Sequence, residues 1–294
     1  MRLYEAFCGV RVMTYVVMSN HFHILVEVPK RPDAKPSPEA MLARIEALHS
    51  PLYAQNVRDL LATMTAKEAQ RHLGEYWRRM HDVSWFIRLI KQRFSQWYNA
   101  RRSRHGTLWE ERFKSVLVEG TGEVLAAIAA YIDLNPVRVG LVQDPKDYRW
   151  CGYAEAVAGG KLAREGIRCV MKGLEKRKWD GVLEGYRVWV FGLAHEVRGH
   201  GGIAPEKVEE VTKNKGALPI SEYLRCRVRY FVDGAVIGSK EFVESAFGDQ
   251  RSRTGPRRKT GARRLHGLAD LEIFSLRGLR LRRLSAPDAG SPAG

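Results

Sequence analysis

The 294-residue chain carries 49 Lys and Arg against 33 Asp and Glu, a formal net charge of +16, with 45% hydrophobic residues. That balance excludes a wholly disordered chain and a collagen-like repeat, and it provides enough apolar material for about two domains. Charges interrupt every apolar stretch short of the roughly 18 residues a membrane span needs, and Arg2, Glu5 and Arg11 break the only N-terminal signal-peptide candidate. The chain therefore reads as soluble, without a membrane partner, and cytoplasmic or nucleoid-associated. Cys8, Cys151, Cys169 and Cys226 lie far apart with no CxxC spacing, so they read as small buried hydrophobes rather than a zinc module or disulfide framework. A pI near 9.9 points to polyanionic partners, nucleic acid first. Residues 251–294 hold 11 of the basic residues against 3 acids, net +8, and read as a basic flexible tail.

In chain order, residues 11–17 and 21–28 are β-branched and aromatic runs separated by Met18, Ser19 and Asn20, the pattern of a hairpin with a short turn. The period of two places His21, His23, Leu25 and Glu27 on one face of the second strand and Phe22, Ile24, Val26 and Val28 on the other. A proline-rich loop follows, then helices over 38–48 and 66–80, the second opened by the capping box from Thr65 to Glu68. Over 83–100, Phe86, Ile90, Phe94 and Trp97 recur at helical intervals while Arg88, Lys91 and Arg93 fall on other faces. Basic residues continue through Arg101, Arg102, Arg104, Arg112 and Lys114, and a strand is expected over 114–119. Thr121 is the expected cap of a helix over 123–134, which Pro136 ends; Tyr131 and Asn135, four apart, share a face there. Gly159 and Gly160 suggest a boundary, after which helices are expected near 181–197, 205–213, 219–231 and 239–247. The last pair, separated by Asp233-Gly234 and restarted by Ser239, fits a helix-turn-helix or a generic helical bundle.

Taken singly, these residues have ordinary readings. A His-x-His pair arises readily by chance, Tyr131 sits among alanines where a tyrosine packs into a core with its hydroxyl at the rim, and a run of arginines is usually a solvated helix face. Trp85, Phe86, Phe94, Trp97 and Tyr98 are more often core than base-stacking platforms. Geometry raises the histidine pair, because alternate residues on a strand can present two neutral imidazoles to one cation and leave its coordination sphere open.

Read in order, four blocks resemble the single-tyrosine HUH transposases, most closely their REP-associated tyrosine transposase branch. They are the run from Met18 through His21-Phe22-His23 to Val26, the run from Gly106 through Trp109-Glu110-Glu111-Arg112-Phe113 to Ser115, the run from Tyr131 through Asn135-Pro136 to Val142, and Asp147-Tyr148-Arg149-Trp150. The resemblance covers residues 1–155. It implies an α+β fold, a ferredoxin-like or RRM-like catalytic domain followed by a mostly helical region over 156–250. It implies that His21, His23 and Asn135 hold a divalent cation, Mg²⁺ or Mn²⁺, and that Tyr131 is the nucleophile. Only about one free tyrosine in a thousand is ionised at neutral pH, and a cation polarising the scissile phosphate lets the weaker phenol nucleophile suffice. Attack yields a 5′-phosphotyrosine and a free 3′-hydroxyl, a phosphodiester exchange that can be reversed without ATP; the chain contains no GxxxxGK[ST] phosphate loop.

Such chemistry takes single-stranded or hairpin DNA. Arg88, Lys91, Arg93, Arg101, Arg102, Arg104, Arg112 and Lys114 are the expected DNA-binding residues, with Trp109 stacking on an unpaired base. Two features depart from the family pattern. Residues 1–8 read as the end of a helix, so the strand and most of the helix that precede the hairpin in the family are expected to be missing, and residues 29–80 form a helical insertion. Two rival functions follow from the same residues: a non-catalytic DNA-binding regulator derived from a transposase, and a metal-dependent nuclease that uses water. Whether Tyr131 acts within one subunit or across a homodimer is open at this level.

Overall fold

The computed structural model describes residues 1–120, 122–172, 178–191, 231, 235–249, 261–265 and 272–277. The chain is α+β and divides into two compact units. The first comprises residues 1–12 and 26–113, the second residues 13–25 and 114–294. The division therefore falls elsewhere than the boundary near 155 that the sequence suggests. It cuts through the hairpin, because the insertion after the second strand builds a body of its own. No described helix is long and apolar enough to cross a membrane.

The hairpin forms as expected, β1 (Arg11–Val17) against β2 (Phe22–Glu27), and the Met18 N–H donates to the His21 carbonyl at 2.8 Å to close its turn. In the first unit, α1 (Arg2–Cys8) ends where Gly9 takes φ 66°, a left-handed conformation that glycine adopts without cost. Glu5 of this helix accepts from the Val12 N–H at 2.7 Å and pairs with Arg2, tying the helix to the strand that follows.

Four further helices complete the first unit: α2 (Pro38–Leu48), α3 (Pro51–Ala62), α4 (Ala66–Arg79) and α5 (Val83–Arg101). Each starts on a residue whose side chain accepts from the first turn, Ser37, Ser50, Thr65 and Asp82 in turn. At Thr65 the full capping box is present. Helix α3 has no counterpart in the sequence reading, although Ser50 followed by Pro51 is a helix-start signal. Along α5, Phe86 and Ile87 are buried, whereas Phe94 is 41% and Trp97 52% exposed, so the apolar stripe is covered only in its first half.

The second unit is organised on α6 (Gly122–Asp133), buried from Val124 to its end. It shares one core with Met13, Val16 and Leu25 of the hairpin and with residues of α8 (Gly152–Val157), α9 (Lys161–Val170) and α10 (Trp179–Phe191). Gly166 lets α9 lie directly on β1, since a Cβ there would stand 2.3 Å from the Met13 carbonyl oxygen. One buried carboxylate holds three elements together: Asp133 accepts from Thr14 Oγ1 of β1 at 2.6 Å, from the Tyr186 hydroxyl of α10 at 2.6 Å and from the Tyr153 N–H of α8 at 3.4 Å. Burial drives its pKa up to about 7, against the opposing pull of these hydrogen bonds.

The strand expected over 114–119 is reduced to β3 (Leu117–Val118). It does not join the hairpin but pairs in parallel with β4 (Val236–Gly238), whose other edge pairs with β6 (Phe274–Ser275), itself paired with β5 (Arg263–Arg264). Part of the segment read as a flexible tail is thus sheet. Helix α11 (Lys240–Asp249) starts on Ser239, whose hydroxyl accepts from the Phe242 N–H, and Val243 and Phe247 bury against Val236 and Leu276. A strand, rather than a turn alone, leads into this helix, which does not fit the expected helix-turn-helix. The helices expected over 205–213 and most of 219–231, the end of 181–197, the cap at Thr121 and Cys226 lie outside the described residues. Cys8 and Cys151 are buried free thiols, and burial raises the Cys8 pKa to about 12, which suits the packing role expected of it.

Candidate metal and nucleophile site

The four residues singled out for chemistry, His21, His23, Tyr131 and Asn135, all belong to the second unit. The hairpin brings the imidazoles together: their ring centroids lie 5.2 Å apart in an edge-to-face arrangement. The exposed His21 ring has its Nδ1 2.7 Å from Asn20 Oδ1. An amide oxygen can only accept, so in this contact Nδ1 carries the proton and Nε2 is the unprotonated nitrogen. Asn20 is thus an orienting residue that the sequence reading placed only in the turn. Leu25, on the same strand face as the two histidines, is buried in the core cluster that contains Tyr131, and Met18 packs against that cluster. Leu25 thus ties the histidine-bearing face of β2 to the core that holds Tyr131.

Tyr131 and Asn135 keep helical phase although Pro136 interrupts the hydrogen-bonding pattern. Leu134, between α6 and the short α7 (Asn135–Arg138), stays in the right-handed helical region at φ −78°, ψ −2°, and the Arg138 N–H still reaches the Leu134 carbonyl at 2.9 Å. The expected shared face extends to Arg138, seven residues on from Tyr131. Its guanidinium lies 3.8 Å from the centroid of the Tyr131 ring and donates to the Tyr131 carbonyl at 2.9 Å. Phe231 packs on the same residue at near right angles, ring centroids 4.9 Å apart. Tyr131 is only 4% exposed, and its hydroxyl makes no hydrogen bond among the described residues. The Asn135 amide nitrogen donates to the Ile132 carbonyl at 3.3 Å.

Among the described residues no three His, Cys, Asp or Glu side chains cluster as a metal-binding group. The donors available are two imidazoles and one amide oxygen. Donors of these types are ones a divalent cation can take, and they do not distinguish Mg²⁺ from Mn²⁺.

The expected DNA-binding residues lie in the first unit, except Lys114. Arg88, Arg93, Arg101, Arg102, Arg104, Arg112 and Lys114 are exposed. Arg79 and Arg88 clamp the Trp85 ring at 4.7 and 4.8 Å. Lys91 is less available, because its Nζ donates to the Glu111 carbonyl at 3.0 Å while lying over the Trp109 ring. Trp109 is held from both sides: its indole N–H donates to Ser95 Oγ at 2.8 Å and it packs on Phe94. That makes Trp109 a strut for the loop after α5, and leaves Phe94 and Trp97 as the exposed rings of this region. No protein-family model, curated protein or solved structure matches the chain.

Proposed function

We propose that the protein is a transposase-like DNA transesterase that cleaves and rejoins single-stranded or hairpin DNA through a 5′-phosphotyrosine on Tyr131. The observation that carries this reading is the pair of adjacent imidazoles, one oriented by Asn20, on the strand face that shares its core with Tyr131. The ferredoxin-like arrangement implied by the resemblance belongs to the same reading, with the β1–β2 hairpin as its centre and α6 laid on it.

In this reading His21, His23 and Asn135 hold a divalent cation, which when bound supplies charge to a scissile phosphate and its leaving oxygen. The Tyr131 oxygen attacks phosphorus, the bond to the 3′ oxygen breaks, and the phenolic proton ends on the released 3′-hydroxyl, so that the exchange balances without another reactant. Arg138, stacked on the ring, fixes its orientation. The exposed arginines of α5 and the loop after it track the backbone.

The burial of Tyr131 favours a second reading, a DNA-binding protein without catalysis. Attack needs the reacting atoms about 3 to 3.5 Å apart, and a residue only 4% exposed, with Phe231 packed on its ring, offers a phosphate little surface to approach. The two readings separate in one assay, incubation of a labelled hairpin oligonucleotide with Mn²⁺ and denaturing electrophoresis. The transesterase gives an adduct lost in Tyr131→Phe and in His21→Ala. The binding protein gives none with any metal. Cleavage that survives Tyr131→Phe but not His21→Ala belongs to a nuclease that uses water.

A further inference from the structure

We infer that the second half of α5 is a stacking platform for unpaired bases of single-stranded DNA, formed by Phe94 and Trp97 and flanked by Arg101, Arg102 and Arg104. This rests on the nucleic-acid part of the function proposed above and not on the chemistry of Tyr131.

The helix begins as a core element and ends as a surface one. After Phe86 and Ile87 the apolar stripe continues at the same period but loses its cover, leaving Phe94 41% and Trp97 52% exposed. These two exposed rings are neighbours rather than scattered singly, the pattern that marks a contact surface. Their placement is ordered: Phe94 lies 5.8 Å from Trp97 and 6.0 Å from Tyr98, tilted by 38° and 30°. Behind them Trp109 packs on Phe94 at 5.7 Å, locked by its bond to Ser95. Supported rings of this kind need little ordering when a flat ligand arrives.

Charge selects the ligand. From Val83 to Arg101 the helix has four basic residues and no acid. The Arg101 guanidinium lies 5.7 Å from the Trp97 ring, and those of Arg102 and Arg104 lie 5.9 and 6.0 Å from Tyr98. An apolar protein partner would leave these cations unpaired in its interface, whereas a strand of nucleotides meets both needs, bases on the rings and phosphates on the guanidiniums. The loop after α5 is pinned by Asn99, whose side-chain amide donates to the Gly106 carbonyl at 2.9 Å and whose backbone carbonyl accepts from the Arg104 N–H at 2.9 Å.

The test is binding of the full-length protein to three probes of equal length: oligo-dT, the same backbone made of abasic units, and a blunt duplex. Trp97→Ala and Phe94→Ala are expected each to weaken oligo-dT binding about 5- to 100-fold, with little effect on the abasic strand or the duplex, and Trp97→Phe to recover most of the loss. The salt slope for oligo-dT stays unchanged in Trp97→Ala and falls by about one in Arg101→Ala. Unchanged oligo-dT binding in folded Trp97→Ala and Phe94→Ala overturns the platform, as does equal weakening on all three probes. Failure of the wild type to form a covalent adduct leaves this result standing, so the two proposals fail separately.

Discussion

Replacing Tyr186 by Phe removes one hydroxyl from the interior of the second unit, and its cost should depend on pH. The side chain is fully buried, so no water replaces the 2.6 Å bond it gives to Asp133. With the Asp133 pKa raised by burial to about 7, the carboxyl is largely ionised at pH 8 and neutral at pH 5. A hydrogen bond to a charged group contributes about 1.5 to 3 kcal/mol and one between neutral groups about 0.5 to 1.5 kcal/mol. The folded pKa lies above the unfolded value of 3.8, so the native chain keeps a proton that the unfolded chain gives up. The contribution of Asp133 to stability is therefore full below about pH 4 and is lost as pH rises through 7. Tyr186→Phe removes a group that favours the carboxylate, and so steepens that loss. Urea unfolding of both proteins at pH 5 and pH 8 measures the effect, expected at about 1 kcal/mol at pH 5 and about 2 to 3 kcal/mol at pH 8. A loss that is equal at the two pH values, or below about 0.5 kcal/mol at pH 8, refutes the assignment of Asp133 as a charged centre of the core.

Three further outcomes follow from the packing and the site. Gly166→Ala forces a methyl group to within 2.3 Å of the Met13 carbonyl oxygen and should destabilise the protein by about 1 to 3 kcal/mol in the same unfolding assay; a neutral result contradicts the direct contact of α9 with β1. Asn20→Ala frees the His21 ring from its partner and is expected to weaken Mn²⁺ binding about 10- to 100-fold by calorimetry, whereas Ser19→Ala leaves it unchanged. Phe231→Ala removes a ring packed against Tyr131, so N-acetylimidazole should acetylate Tyr131 faster than in the wild type, measured by peptide mass spectrometry; equal rates mean that Phe231 is not what shields it.

Local signals in the chain foretell local structure well. The alternation on either side of Met18-Ser19-Asn20 becomes the hairpin, the Thr65 capping box becomes the start of α4, and the helix over 123–134 is displaced by one residue. The proximity of the histidines follows from strand geometry alone. What sequence periodicity leaves out is whether a partner arrives. The same stripe that buries Phe86 leaves Trp97 open, because spacing defines a face and not what covers it. Leu117–Val118 find their strand partner more than a hundred residues later, at Val236–Gly238, and the tail contributes two more strands, pairings that no local pattern encodes. Tyr131 is the sharpest case: its position on the helix is legible, but its cover comes from Arg138 and Phe231, the second a hundred residues away. Asn20 was visible as a turn residue, and its role as an acceptor emerges only when the turn sets it beside the His21 ring.

The measurement that bears most directly on the account is mass spectrometry of peptides from the protein after reaction with a single-stranded hairpin oligonucleotide and Mn²⁺, digested with nuclease and protease. The account predicts a nucleotide joined through its 5′-phosphate to the peptide that contains Tyr131, absent when His21 is replaced by Ala. A DNA-linked peptide carrying another residue, or a bound and intact oligonucleotide with Tyr131 unmodified, contradicts it.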